Sequence, residues 1–145
     1  MKTKLLNRNG ESTFALVLAT NDEVVQCLTK FASEQKVTAA HFTGIGAFSS
    51  VVLGYFDWKR KDYNRIPIDE QVEVVSLVGD IALSKGKPMV HAHVVVGKTD
   101  GTAHGGHLLE GRVRPTLEVV LVESPAHLRR SHDAASGLAL IDLDK

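Results

Sequence analysis

The sequence predicts an α+β domain, with one main helix and a central, mainly antiparallel sheet of seven or eight strands, formed by residues 1–145 as a single unit. Three observations carry this expectation. Val24, Leu28, Phe31 and Ala32 form the one clear apolar stripe at helical spacing. Beyond residue 36 the chain breaks into valine-rich runs punctuated by Gly, Pro and Asp, the pattern of strands and turns. The length of 145 residues, with 43% hydrophobic and 23% charged residues, suits one ordinary globular core.

The first strand is Phe14 to Leu18. Thr20 or Asn21 then offers an N-cap, and Asp22 and Glu23 place negative charge in the first turn, where the helix dipole favours it. The helix runs from about Asp22 to Gln35. Val37 to Phe42 is a strand, followed by a glycine-punctuated turn at Thr43-Gly44-Ile45-Gly46-Ala47 and a strand from Val51 to Asp57. Residues 59–65 form a charged connection. Val72 to Gly79 is a strand, with Gly79-Asp80 a tight reversal into Ile81-Ala82-Leu83, and Gly86-Lys87-Pro88 is a turn. Met89 to Val96 is strongly β, Lys98 to Gly101 signals a hairpin, and Thr102 to Leu109 returns. Thr116 to Glu123 is a long strand, and Leu138 to Leu143 adds a short one. Pro125 and the polar run Arg129 to Asp133 keep any helix there short. So many strands for one helix leave a sheet face uncovered, which an oligomer would cover.

Composition excludes several classes. Seventeen basic and seventeen acidic residues give a formal net charge of zero, which argues against strong general affinity for phosphate backbones. Cys27 is the only cysteine, so neither an internal disulfide nor a cysteine-based zinc site is available. Residues 1–8 lack the apolar stretch of a signal peptide, and no run of about 18 apolar residues predicts a membrane span. The expected location is the cytoplasm.

Four of the seven histidines lie between Val90 and Leu108. His91 and His93 are two apart in a strand, so both imidazoles project to one side and can converge on one ion. Three histidines would leave an open position for water or substrate. The third is set by hairpin register. A three-residue loop at Thr99-Asp100-Gly101 makes facing residue numbers sum to 200, which places His107 opposite His93 and His104 opposite Val96. A two-residue loop at Asp100-Gly101 would turn His107 to the other face, and a bulge at Gly105-Gly106 could undo or create that slip. His107 is favoured, with His104 an alternate or outer partner. Zinc is the first choice by ligand type, although imidazole also suits iron, nickel, copper and cobalt.

Other residues are candidates of lesser weight. Glu73 and Glu118 lie in valine-flanked runs, where an inward carboxylate could act as general base on a metal-bound water and Arg112 could orient an anionic substrate. His41 could approach the metal from its strand. Lys59-Arg60-Lys61 and Arg65, near Trp58 and Tyr63, read as a solvated loop diluted by Asp57, Asp62, Asp69 and Glu70 rather than a nucleic-acid patch. Arg129-Arg130 reads as surface, and His127 and His132 sit in a polar tail.

The segments Thr43–Ala47, Gly54-Tyr55-Phe56-Asp57, Glu73–Gly79, His91-Ala92-His93, Asp100-Gly101 leading to Gly105-Gly106-His107-Leu108, and Glu118–Leu121 occur in a specific order. In that order the chain resembles the plants-and-prokaryotes-conserved (PPC) domain family along almost its whole length, in its bacterial form without an AT-hook. The resemblance implies an α/β fold with a central antiparallel sheet, a homotrimer, and a metal site at His91, His93 and His107. It also implies the family's DNA-binding label, earned by plant members that join the domain to AT-hook segments. Here the nearest match, Gly111-Arg112-Val113-Arg114-Pro115, lacks the glycine between the arginines and leads into a strand. About a dozen residues precede the first expected strand, too few for a separate DNA-binding arm. The H-x-H then G-G-H order is also similar, locally, to acetolactate decarboxylase, a zinc enzyme. Two functions follow: a homotrimeric, regulatory or ligand-sensing metal protein with a possible DNA partner, or a metal-dependent lyase or hydrolase acting on a small carbonyl or carboxylate compound.

Overall fold

A computed structural model describes residues 1–7, 10–124 and 127–144. Arg8 and Pro125, used in the sequence reading, lie outside the described residues. The elements are β1 Lys2–Asn7, β2 Thr13–Ala19, α1 Val24–Gln35, β3 Ala39–Asp57, β4 Asp62–Ile68, β5 Val72–Ser84, β6 Lys87–Gly97, β7 Ala103–Glu123, β8 Arg129–His132 and β9 Ala139–Asp142. The strands form a single nine-stranded sheet. Among the described residues, only β5 and β8 pair in parallel; the other pairs are antiparallel.

Four strands close on themselves. β3 pairs with β5 and β7, and β6 pairs with both β5 and β7. Closure curls the sheet around a core in which Phe42, Phe48, Leu77, Ile81, Leu117 and Leu121 are at most 1% exposed. Burying each such side chain contributes about 1.5–3 kcal/mol. Helix α1 adds Val24, Leu28, Phe31 and Ala32 to the same cluster. Its start differs from the expected one. Asn21 takes a left-handed φ of 73°, and Glu23 is the cap, accepting from the Gln26 amide at 2.8 Å and the Gly111 amide at 3.1 Å. Asp22 instead accepts from the Ala19 amide and pairs with the N-terminal ammonium.

The glycines correct the expected turns. Thr43–Ala47 is part of β3, which runs unbroken for 19 residues with register shifts beside Gly46. A Cβ on Gly46 would stand 2.3 Å from the Thr116 carbonyl oxygen, so this glycine serves a close backbone crossing, not a reversal. Likewise β5 passes straight through Gly79-Asp80. There a Cβ would meet Phe42 Cζ at 2.3 Å and the His91 carbonyl oxygen at 2.5 Å. The actual reversal is Lys85-Gly86, both at positive φ, a two-residue loop that leaves Lys87 and Pro88 in β6.

Three strands were not anticipated. The charged connection folds back as β4, the N-terminal stretch pairs as β1, and the polar run after Pro125 forms β8 instead of a short helix. The expected strands Thr102–Leu109, less Thr102, and Thr116–Glu123 are parts of one 21-residue β7, Ala103–Glu123.

The uncovered face exists. Val17, Ile45, Val75, Val78 and Val120 point outward and are 42–61% exposed. Among the described residues, no helix is long and apolar enough to cross a membrane.

Replacing Gly79 with alanine should destabilise the protein by about 1–3 kcal/mol, because overpacking against Phe42 and the His91 backbone has no easy relief. Gly97→Ala, whose nearest contact is Val75 Cγ2 at 3.4 Å, should stay within about 0.5 kcal/mol. Urea unfolding of the two variants compares them directly.

Candidate metal centre

The β6–β7 hairpin sets the geometry. The Lys98 amide donates to the Thr102 carbonyl and the Gly101 amide to the Lys98 carbonyl, both at 2.9 Å, so the loop is Thr99-Asp100-Gly101. Gly101 supplies the positive φ of 80° that such a loop uses. His93 therefore faces His107, and Val96 faces His104. His91 lies two residues before His93 on the same side of β6.

The three rings converge. Centroids are 5.2 Å apart for His91 and His93, 5.1 Å for His91 and His107, and 5.4 Å for His93 and His107. Each offers a ring nitrogen, and these atoms lie within 4.8 Å of one another. A tetrahedral ion with bonds of about 2.0–2.1 Å needs separations of roughly 3.4 Å, a small inward adjustment. His104 lies outside this group. It is exposed, with Thr102 Oγ1 3.5 Å from its Nε2.

Two side chains absent from the sequence reading of the metal site buttress the triad. Tyr63 of β4 stacks on His107 with centroids 4.6 Å apart. Gly54 makes this possible: it pairs with His107, and a Cβ there would stand 2.8 Å from Tyr63 Cδ1. Asp80 of β5 pairs with His91, its carboxylate 3.7 Å from His91 Nδ1. The same carboxylate forms a salt bridge with Arg130, whose side chain is only 4% exposed. Arg130 was expected at the surface. It is drawn inward because β8 pairs in parallel with the end of β5. A two-residue loop at Lys85-Gly86 makes facing numbers sum to 171, which would have revealed Asp80 opposite His91 had β5 been read as continuous.

Burial shapes the charge state. It pushes the His107 imidazole down to about 4, with His91 and His93 adding repulsion. His91 is also lowered, first by burial and then by Arg130 and His93, against the opposing pull of Asp80. Neutral imidazoles are the form that binds metal. Among the described residues, His107 Nδ1 is buried without a hydrogen-bond partner, which leaves this nitrogen uncommitted.

The remaining candidates lie elsewhere. Glu73 and Glu118 are exposed and line a groove with Ile45 and Val75 on the open face. Arg112 is exposed and donates to the Asn21 carbonyl at 3.3 Å, near the start of α1. None of the three lines the cavity beside His91 and His107. His41 faces Asp80 across β3 and β5 but is not in the triad, and His127 meets Thr38 Oγ1 at 2.6 Å. His132 is exposed in β8. In the basic connection, Arg60 donates to Asn64, Lys61 to the Ala134 carbonyl, and Arg65 pairs with Glu110.

Because the folded His107 pKa lies below its unfolded value of 6.5, the unfolded chain binds the extra proton first. Metal-free protein should therefore lose stability as pH falls from about 6.5 towards about 4. His107→Gln should flatten that slope. Melting temperatures with chelator present, measured across this range, check it.

A family profile described as the Plants and Prokaryotes Conserved (PCC) domain matches residues 6–125. A plant- and prokaryote-conserved (PPC) protein from Pyrococcus horikoshii is 32% identical and superposes with a TM-score of 0.86 over 97% of this chain and 94% of its own. A metal-containing protein from Archaeoglobus fulgidus is 33% identical, with a TM-score of 0.83 over 97% and 96%. A protein from Bacteroides thetaiotaomicron, provisionally described as DNA-binding, is 25% identical, with a TM-score of 0.89 over 99% of both chains. A Staphylococcus aureus protein similar to α-acetolactate decarboxylase shares the fold alone, at 14% identity and a TM-score of 0.56 over 83% of this chain and 53% of that one. The bifunctional protein GlmU of Synechococcus sp. (strain JA-3-3Ab) is 28% identical over 135 residues, which are 91% of this chain and 20% of that protein. This chain thus spans a fifth of the length of that curated relative. With the profile covering residues 6–125 and the same fold in solved relatives, the chain belongs to the Plants and Prokaryotes Conserved domain family.

Proposed function

We propose that this chain is a homotrimeric metal-binding protein with a regulatory or ligand-sensing role, in which His91, His93 and His107 hold one divalent ion. The observation that carries the reading is the meeting of three imidazoles from two strands, with ring nitrogens within 4.8 Å of one another. The metal-containing relative from Archaeoglobus fulgidus supports it. Zinc is the choice by donor chemistry, since three nitrogens and one open position suit it. When bound, the ion would supply a Lewis-acidic position for water or an anionic ligand. Asp80 would orient His91, and Tyr63 would hold the His107 ring in plane.

Metal analysis should give one zinc per chain, and His91→Ala, His93→Ala or His107→Ala should each abolish it. Asp80→Asn should weaken zinc by about 10–100-fold through the misoriented imidazole. Retention of full stoichiometry by the His93→Ala variant would remove the proposal.

The homotrimer rests on the outward apolar residues of the open face, which a partner copy would cover. DNA enters as a partner through the provisionally DNA-binding relative. The cytoplasm is the proposed compartment, for which the lone Cys27 speaks. Sedimentation equilibrium tests assembly and DNA together. The protein alone should run at about three times its 15.7 kDa, and AT-rich duplex at physiological salt should co-sediment at micromolar protein. Absence of co-sedimentation would leave a sensor of small ligands.

One observation favours a second reading as a metal-dependent enzyme on a small carbonyl or carboxylate compound. Three protein ligands leave a coordination position free, and a cavity opens beside His91 and His107. Turnover by zinc-loaded protein in a screen of such compounds, lost in His93→Ala, would establish it.

A further inference from the structure

Among the described residues, two buried side-chain nitrogens have no hydrogen-bond partner: His107 Nδ1 and Arg130 Nε. Both side chains line one cavity of about 120 Å³, together with Tyr63, Met89, His91 and Leu140. His107 belongs to the proposed metal set; Arg130 does not. Its guanidinium is permanently charged, and its Nη atoms are already engaged by the Asp80 carboxylate and the Ala139 carbonyl. Nε–H is left over. Leaving such a donor buried and unmade costs stability, so an acceptor brought to it would be bound favourably.

The cavity defines that acceptor. No acidic side chain lines it, and the Asp80 carboxylate already serves Arg130 and His91. Its volume equals roughly four waters at ~30 Å³ each, below the ~300 Å³ at which drug-sized pockets begin. Met89 and Leu140 add apolar wall. A planar anion with a short apolar tail fits these constraints. We propose that the cavity binds a small monocarboxylate, one oxygen of which accepts the Arg130 Nε–H while the molecule lies against the face where His91 and His107 present their imidazoles. The inference rests on the metal reading for the second half of the ligand's hold: a bound divalent ion would add positive charge that the Arg130–Asp80 pair, neutral as a unit, does not supply. Arg130 is then the residue that selects charge, and Asp80 links it physically to His91.

The Arg130 Nε–H resonance provides a direct test in the full-length, ¹⁵N-labelled protein. It is assigned through its bonded carbons and checked by its loss in Arg130→Lys. Acetate is titrated into zinc-loaded and chelated protein, with acetamide as the uncharged counterpart. Acetate should shift this signal saturably in the zinc-loaded protein, at least ~tenfold more tightly than acetamide and ~tenfold more tightly than without zinc. A signal unmoved by acetate at tens of millimolar, or moved equally by acetamide, overturns the proposal. If zinc does not bind, the metal reading fails by itself and the chelated titration decides: an acetate-specific shift sustains the arginine pocket, and its absence ends it.

Discussion

Side chains in a β-strand alternate between faces, so a hairpin slipped by one residue would carry a whole row of side chains to the wrong side of the sheet. The β6–β7 register is therefore the constraint on which the rest depends. Lys98 and Thr102 close a three-residue loop, Gly101 takes the left-handed conformation that the loop requires, and His93 comes to face His107. The strand behind it is pinned on both sides, because inward Val94 and Val96 are at most 2% exposed. Slippage would drive those valines into water and the histidines into the core. Packing thus protects the geometry of the three histidines.

The curl of the sheet turns two facing histidines into a walled site. β7 leaves β6 at His107 and continues against β3, so His107 pairs with His93 on one side and Gly54 on the other. The missing side chain at Gly54 lets Tyr63 reach across and stack on the ring. On the other flank, β5 brings Asp80 to His91, and β8 adds Arg130. Five strands contribute to a pocket that the sequence distributes from Tyr63 to Leu140. Their convergence explains why burial lowers the affinity of His91 and His107 for protons, which keeps both rings available as donors.

The two faces of the sheet carry different tasks. The inner face and α1 hold the core, while the outer face combines Val17, Ile45, Val75, Val78 and Val120 with the carboxylates of Glu73 and Glu118. The triad lies at one margin of that outer face: Val78 is the partner of His93 in the β5–β6 register, and Thr43 and Val120 continue the same row. An assembly formed over this face would therefore border the histidine triad.

By itself the sequence determined the periodic features. The helix stripe from Val24 to Ala32 and the parallel projection of His91 and His93 follow from spacing alone, whereas the sequence favoured the pairing of His93 with His107 and the backbone hydrogen bonds of Lys98, Gly101 and Thr102 decided it. Local rules failed where glycine served tertiary contact. Gly46 and Gly79 read as turns in isolation, yet each sits in a continuous strand because another backbone or ring passes too close for a Cβ. That misreading hid Asp80, and with it the arginine that Asp80 draws inside. Only the tertiary structure decided these neighbours. Asp80 lay within reach of hairpin arithmetic once β5 is continuous, but Tyr63 and Arg130 reach the site through strand pairings far apart in the chain, and no local spacing encodes which distant strand a given edge will accept.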